Sequence, residues 1–279
     1  MIHSDWHIHS EYSYDADNTL KEITDAAKNQ GLYRVGITDH ANYNDEKFIG
    51  DLTRSAEAVN ALKKENSLLV LGVELTPIEK PLFDYISKHG TREGYIAPDA
   101  SEPYGIELAR TKEELMALGV QYAIGAAHWR VDKPCTQEDR LDVDASIKEW
   151  YRQQLMLAND ERVTVLGHPW WSGRALWYDD FSRIPRSMND EIADSLKKNN
   201  KYVECNSHFF LAKEISEKYR HQYAEFLREL FEKGIRVTYG SDSHSNYGDV
   251  CGEIEKYLSI AGFKDGDISE IDEKDLWRI

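Results

Sequence analysis

Seven short apolar runs, spread along the whole chain and separated by stretches of helical periodicity, limit the folds open to this sequence. They are DWHIHS (5–10), YRVGITDH (33–40), SLLVLGVEL (67–75), QYAIGAAH (121–128), RVTVLGHP (162–169), KYVECNS (201–207) and IRVTYGSDSH (235–244). Between them lie amphipathic segments such as TLKEITDAAKNQG, which places Leu20, Ile23, Ala26 and Ala27 on one face and ends at Gly31. DLTRSAEAVNALKKEN and HQYAEFLRELFEKG follow the same pattern, the latter stopping at Gly234 just before a strand. Strand and helix alternating over 279 residues predict a parallel α/β sheet with helices outside, and seven strands suit a closed barrel better than an open sheet. The expectation is one domain over 1–279, with a long insertion at 76–120 and an acidic C-terminal tail at 265–279. The tail ends in Leu276, Trp277 and Ile279 and is expected to dock on the barrel or to meet a partner.

Composition narrows the function classes. A formal net charge of -16 repels a phosphate backbone, and no Lys/Arg cluster interleaved with aromatics offsets it, so nucleic acid is not an expected partner. No stretch approaches the ~18 to 20 apolar residues of a membrane span, and the N-terminus lacks a basic-then-apolar signal pattern. A cytoplasmic protein without membrane contact is expected. Cys135, Cys205 and Cys251 are an odd, widely spaced set without C-x-x-C, which argues against a disulfide framework and a thiolate zinc knuckle.

The polar residues sit at one end of the runs. His7 and His9, Asp39 and His40, Glu74, His128, His168, Asn206, and Asp242 with His244 fall at the C-terminal ends of the expected strands or one residue beyond. Closing the barrel brings them into one mouth, the rim where active sites of β/α barrels are built. His7 and His9 are two residues apart in a strand, so both imidazoles point to one face, a geometry that suits a metal ion. Each residue alone has an ordinary explanation as a cap or a core side chain. Their shared placement does not.

The motifs H-x-H-S with a following S-x-D (His7, His9, Asp15), TDH (His40), GVE (Glu74), AAH (His128), GHP (His168) and GSDSH (Asp242, His244) resemble, in order, those of the PHP family, the polymerase and histidinol phosphatase metallo-phosphoesterases. The resemblance covers roughly residues 3 to 260. It implies a distorted, TIM-like (β/α)7 barrel with a site for two to three divalent metals, Mn, Fe or Zn. Carried over residue by residue, His7, His9, Glu74 and Asp242 hold one ion, Glu74, His128 and His168 a second, and Asp15, His40 and His244 a third. Glu74 then bridges two ions, which together activate a shared hydroxide.

Other residues take lesser roles in this reading. Asp39 reads as a helix cap or a brace for the neighbouring ligand, and Asn206 as an orienting residue. His3, His89, His208 and His221 fit no ligand position, His221 lying on a helix surface and His208 near the pocket. The 76–120 insertion and the segment PWWSGRALWYDDF after His168 are the expected pocket walls, although so dense a set of aromatics is core by default. Arg130 and Arg174 are the natural phosphate forks, with an ordinary rim salt bridge as the alternative for each.

The reading that follows is a metal-dependent phosphoesterase acting on a small phosphorylated metabolite, histidinol phosphate being the family's best-known monoester. Glu74, Asp242, Arg130 and Arg174 carry the chemistry. An amidohydrolase-like hydrolase of C–N or C–O bonds is the first alternative, and a non-catalytic metal-binding module the second. Amidohydrolases more often have eight strands and a bridging lysine, and a non-catalytic module would show degenerate ligands.

Overall fold

In the computed structural model, which describes residues 1–248 and 251–278, the strands are β1 (Ser4–Ile8), β2 (Arg34–Ile37), β3 (His40–Ala41), β4 (Leu69–Leu75), β5 (Ile78–Glu79), β6 (Ile106–Glu107), β7 (Tyr122–Gly125), β8 (Val165–Leu166), β9 (Tyr202–Asn206) and β10 (Arg236–Gly240). Seven of them pair in parallel in the order β1-β2-β4-β7-β8-β9-β10, and β3 continues β2 alongside β4. The edge strands β1 and β10 are joined by backbone hydrogen bonds at their C-terminal ends. There Asp242 N donates to His7 O (2.7 Å) and His9 N to Ser243 O (3.1 Å). The expected seven-stranded barrel is thus nearly closed, and it closes at the rim that carries the polar residues.

The interior explains why two strands carry glycine where an apolar side chain would be usual. Tyr122 lies across the barrel, its hydroxyl donating to Trp6 O at 2.6 Å. A Cβ at Gly36 would stand 1.8 Å from that hydroxyl oxygen, and one at Gly72 2.5 Å from the ring. Trp6, Val70, Tyr122, Ile124, Val165 and Tyr202 fill this layer beneath the site. Ile271 of the tail seals it from below.

The helices α1 (Leu20–Gln30), α2 (Glu46–Lys63), α3 (Lys80–His89), α4 (Lys112–Ala117), α5 (Val143–Asn159), α6 (Arg186–Lys198), α7 (Ser207–Phe210) and α8 (Glu217–Glu232) lie between the strands. The α1 boundaries follow the sequence signals, with a Thr19/Glu22 capping box and Gly31 left-handed at φ 72°. Helices α2 and α8 start earlier than their periodicity suggests, because Asp45 and Ser216 supply the N-caps. The 76–120 insertion is not a bare loop: it holds the antiparallel β5–β6 pair, α3 and α4.

The tail runs across the N-terminal end of the barrel. Ser269 N donates to Val237 O and Trp277 N to Gln121 O, while Arg236 pairs with Asp272 and Asp275. Trp277 is buried, Leu276 packs beside Ile271, and Ile279 lies outside the described residues. No helix among the described residues is long and apolar enough to cross a membrane.

Candidate metal centre

The nine residues expected as ligands converge at the barrel mouth. Around His7 and His9 the separations are His7 Nε2 to His9 Nε2 3.1 Å, His7 Nε2 to Asp242 Oδ1 3.4 Å and His9 Nε2 to Asp242 Oδ1 3.1 Å. Glu74 Oε2 lies 3.5 Å from His7 Nε2 and 3.4 Å from His9 Nε2. A tetrahedral ion with N and O ligands at ~2.0 to 2.1 Å has ligand–ligand edges of about 3.3 Å. The four atoms therefore have the spacing of one coordination shell.

The other carboxylate oxygen of Glu74 belongs to a second group, with His128 Nε2 at 3.3 Å and His168 Nε2 at 3.2 Å. Asp15, His40 and His244 form the third, His40 Nε2 and His244 Nε2 standing 3.3 and 3.7 Å from Asp15 Oδ2. His9 stacks between His40 and His244 at 4.3 and 4.2 Å, so this group takes in His9 as well, beyond the sequence expectation.

Local backbone conformation aims several of these side chains. Asp242 (φ 53°) and His168 (φ 24°) occupy the left-handed region, which non-glycine residues adopt at an energetic cost and which is frequent at functional sites. Asp242 Oδ2 accepts from Asn206 Nδ2 at 3.1 Å, giving Asn206 the orienting role expected of it.

The far nitrogens of three of the imidazoles are held by neighbours, which sets their tautomers. His7 Nδ1 donates to Glu204 Oε1 at 2.7 Å, and His244 Nδ1 to the Asp242 carbonyl at 2.9 Å. The Thr76 hydroxyl donates to Asn42 Oδ1 and so presents a lone pair to His128 Nδ1, 3.0 Å away. Each of the three then turns its Nε2 lone pair toward the centre, as ligating histidines do. Glu204, Thr76 and Asn42 were not singled out from the sequence. Glu204 carried a signal: it is the charged residue within the apolar run YVECN, facing inward with Tyr202 and Asn206.

Electrostatics support a cation here. Burial works against every charge in the cluster, yet the imidazoles around Glu74 hold its carboxyl well below the usual range, and His7 does the same for Asp242. His40, buried against Glu74 and Asp15, is pushed up to about 10, whereas burial and the neighbouring His40 hold His9 down to about 3. His40 Nδ1 and Glu74 Oε2 are 2.8 Å apart but not aligned as a hydrogen bond. Buried, unsatisfied donors of this kind, all nitrogen and carboxylate oxygen without thiolate, fit a first-row divalent ion.

Three other expectations meet the structure differently. Asp39 is not a helix cap: its buried carboxylate accepts from Ser10 N, Ser10 Oγ and Ser55 Oγ, bracing the turn after His9. Of the aromatics after His168, Trp170, Trp177, Tyr178 and Phe181 are core, and Trp171 alone packs edge-on against His128 and His168. Arg130 is held by both oxygens of Asp132 and by Asp139 O, while the exposed Arg174 makes no ion pair among the described residues. Both arginines line a cavity beside His128. His208 is exposed, its ring 5.8 Å from that of His244.

Comparison with known proteins adds three findings. The sequence profile of the family described as PHP domain matches residues 5–208. A probable phosphatase from Acetivibrio thermocellus is 34% identical over 243 residues, 87% of this chain and 80% of that protein. Among solved structures, histidinol phosphate phosphatase from Lactococcus lactis, complexed with zinc, L-histidinol and phosphate, aligns with a TM-score of 0.65 and 16% identity, covering 99% of this chain and 98% of that one.

Proposed function

The chain belongs to the PHP domain family and is a hydrolase of the phosphoesterase class, and from that premise we propose that it hydrolyses a small phosphomonoester at the barrel mouth, in the cytoplasm. The observation that carries this reading is the division of Glu74: one oxygen joins the His7, His9 and Asp242 group, the other the His128 and His168 group. A carboxylate shared this way sets the separation of two cation sites, and Asp15, His40 and His244 provide a third.

Bound divalent ions, Mn, Fe or Zn, would supply Lewis-acid polarisation of the phosphoryl oxygens and a water of lowered pKa. The residues of the chain do the rest. Glu204 and Thr76 keep the imidazoles of His7 and His128 in the tautomer that faces inward. Asp242 is held by Asn206 with its other oxygen directed at His7 and His9. Arg174 reaches the phosphoryl group from the cavity side, where its planar fork stabilises charge spread over the equatorial oxygens. Arg130, fixed by Asp132, keeps two of its five N–H donors for the same anion. Trp171, packed on His128 and His168, limits water at that edge.

The test is elemental analysis of the purified protein together with hydrolysis of p-nitrophenyl phosphate in the presence of Mn, Fe or Zn. Two to three equivalents of metal and turnover that chelation abolishes are expected. A metal-free protein that takes up none of these ions and leaves the ester intact overturns the reading.

A further inference from the structure

The cavity of about 700 Å³ beside His128 carries an excess of positive charge. Two of its cations are matched, Arg130 by both oxygens of Asp132 and Lys133 by Asp139. Arg140 and Arg174 make neither an ion pair nor a side-chain hydrogen bond among the described residues, and against them the cavity wall sets a single acidic residue, the half-buried Glu79. Arg92, stacked over the ring of Tyr43 at 4.3 Å, brings another cation to that wall. With Arg174 assigned to the reacting phosphoryl group, Arg140 is left without an anion.

The backbone that carries Arg140 is tied to the site. Arg140 lies in a single 3₁₀ turn, Asp139–Leu141, whose start is held by Thr136: Asp139 Oδ2 accepts from Thr136 N at 3.0 Å and from its hydroxyl at 2.8 Å, and Arg140 N donates to Thr136 O at 3.2 Å. Arg130 donates to Asp139 O at 2.6 Å, so the guanidinium clamped two residues after His128 also fixes the peptide that leads into Arg140. A side chain on a backbone braced in this way presents its charge at a set place, while its exposed guanidinium keeps all five donors for a ligand.

We propose that Arg140 is a specificity residue that selects phosphomonoesters whose alcohol portion carries a carboxylate. The proposal rests on the phosphomonoesterase reading above. A carboxylate fits the cavity better than a second phosphate does, because one guanidinium is left over, its planar fork matches two carboxylate oxygens, and Glu79 in the same cavity repels a dianion more strongly than a monoanion. Arg140 binds the organic group and touches no reacting atom, so its contribution is the same in the ground state and in the transition state. Its removal therefore raises KM and leaves kcat unchanged.

The test compares 4-(2-carboxyethyl)phenyl phosphate with its amide, 4-(2-carbamoylethyl)phenyl phosphate, which match in size and leaving group and differ in charge, on the metal-loaded wild type and on Arg140→Gln and Arg140→Lys. Wild type is expected to show the lower KM for the acid, by a margin that shrinks as salt is added. Arg140→Gln should raise KM for the acid about 5- to 30-fold, as loss of one charge-assisted contact at a partly exposed site does, with kcat unchanged and the amide within about twofold. Arg140→Lys, which keeps the charge and loses the fork, should retain part of the preference. A wild type that hydrolyses p-nitrophenyl phosphate but does not distinguish the acid from the amide overturns the proposal and leaves the phosphomonoesterase reading intact. So does an Arg140→Gln protein that keeps the full preference, or one whose defect is of the same size on both esters, since Arg140 would then serve neither end of the substrate or the phosphate end alone. A wild type that hydrolyses neither ester nor p-nitrophenyl phosphate overturns both. Circular dichroism of each variant separates a folding defect from a binding one, and if Arg140→Gln misfolds, the Arg140→Lys comparison decides.

Discussion

Glu204 Oε1 accepts from His7 Nδ1 at 2.7 Å across the barrel interior, and the same carboxylate takes the backbone N–H of His168 at 2.7 Å with its other oxygen. One buried side chain of β9 thus orients residues of two proposed metal groups. Replacing it with glutamine keeps the volume but removes the charge that fixes the His7 tautomer. Glu204→Gln should weaken metal affinity about 10- to 100-fold, the usual effect of losing a carboxylate behind a ligating histidine. Metal titration by calorimetry measures this, and unchanged affinity would show that His7 needs no such anchor.

Glu74 and Asp15 should differ sharply in their sensitivity. Glu74 is fully buried with its two oxygens in separate groups, whereas Asp15 is exposed and faces His40 and His244 alone among the proposed ligands. Glu74→Gln should lower kcat by at least about 100-fold and reduce the metal content, while Asp15→Asn should lose about tenfold. Steady-state kinetics with elemental analysis of both variants checks the order. An active Glu74→Gln protein beside an inactive Asp15→Asn protein would reverse the assignment of the bridge.

Arg174, like Arg140, lines the cavity without an ion pair among the described residues, and a phosphate is the anion proposed for Arg174. Arg174→Ala should reduce kcat/KM on a phosphomonoester roughly 10- to 1000-fold with metal content unchanged. Arg130→Ala should lower activity too, but it also frees Asp132 and Asp139 O, so its thermal stability should fall where that of Arg174→Ala does not. Full activity in both variants would place the phosphate fork elsewhere.

Much of the mouth was legible because its residues repeat one rule, a polar residue ending each apolar run, and the H-x-H, TDH and GVE segments keep that rule in order. Glu204 escaped because its meaning depends on His7, 197 positions away, and such a pairing leaves no periodicity in the chain. The β5–β6 pair escaped for a different reason: two residues per strand are too few to alternate. Asp39, directly before His40, read as a cap or as a brace, yet Asp45 takes the cap position and Asp39 turns inward to Ser10 and Ser55. The aromatics after His168 were a dense set whose sides could not be told apart before the backbone placed Trp171 alone at the site.

Gly240 ties the fold to the site. A Cβ there would lie 1.9 Å from Glu204 Oε1 and 2.5 Å from His7 Cβ. Neither neighbour has room to withdraw inside the barrel, so Gly240→Ala must displace the His7–Glu204 pair. Metal affinity should fall at least as far as in Glu204→Gln, with a loss of stability of about 1 to 3 kcal/mol from overpacking. Thermal unfolding of the metal-free and metal-loaded forms separates the two effects, since ligand stabilisation vanishes only where the site is damaged.

At the other end of the barrel Arg162 clamps both oxygens of Asp160 (2.8 and 2.6 Å) and also donates to Arg110 O at 3.1 Å. The pair fastens the end of α5 to the end of the 76–120 insertion. Burial would raise the Asp160 carboxyl, but its bonds to Arg162 outweigh burial and hold it below the ordinary 3.8. A carboxylate depressed in the fold binds fewer protons folded than unfolded. Its stabilisation is therefore complete above about pH 4 to 5 and is lost as the pH falls through the lowered value. Arg162→Met should cost about 1 to 3 kcal/mol at pH 7, or several degrees in Tm. The Tm gap between wild type and variant should hold from pH 7 to 5 and narrow below about pH 4, as protonation of Asp160 releases the clamp in wild type alone. A gap that stays constant down to pH 3.5 would mean that Arg162 acts through its carbonyl contacts and not through Asp160.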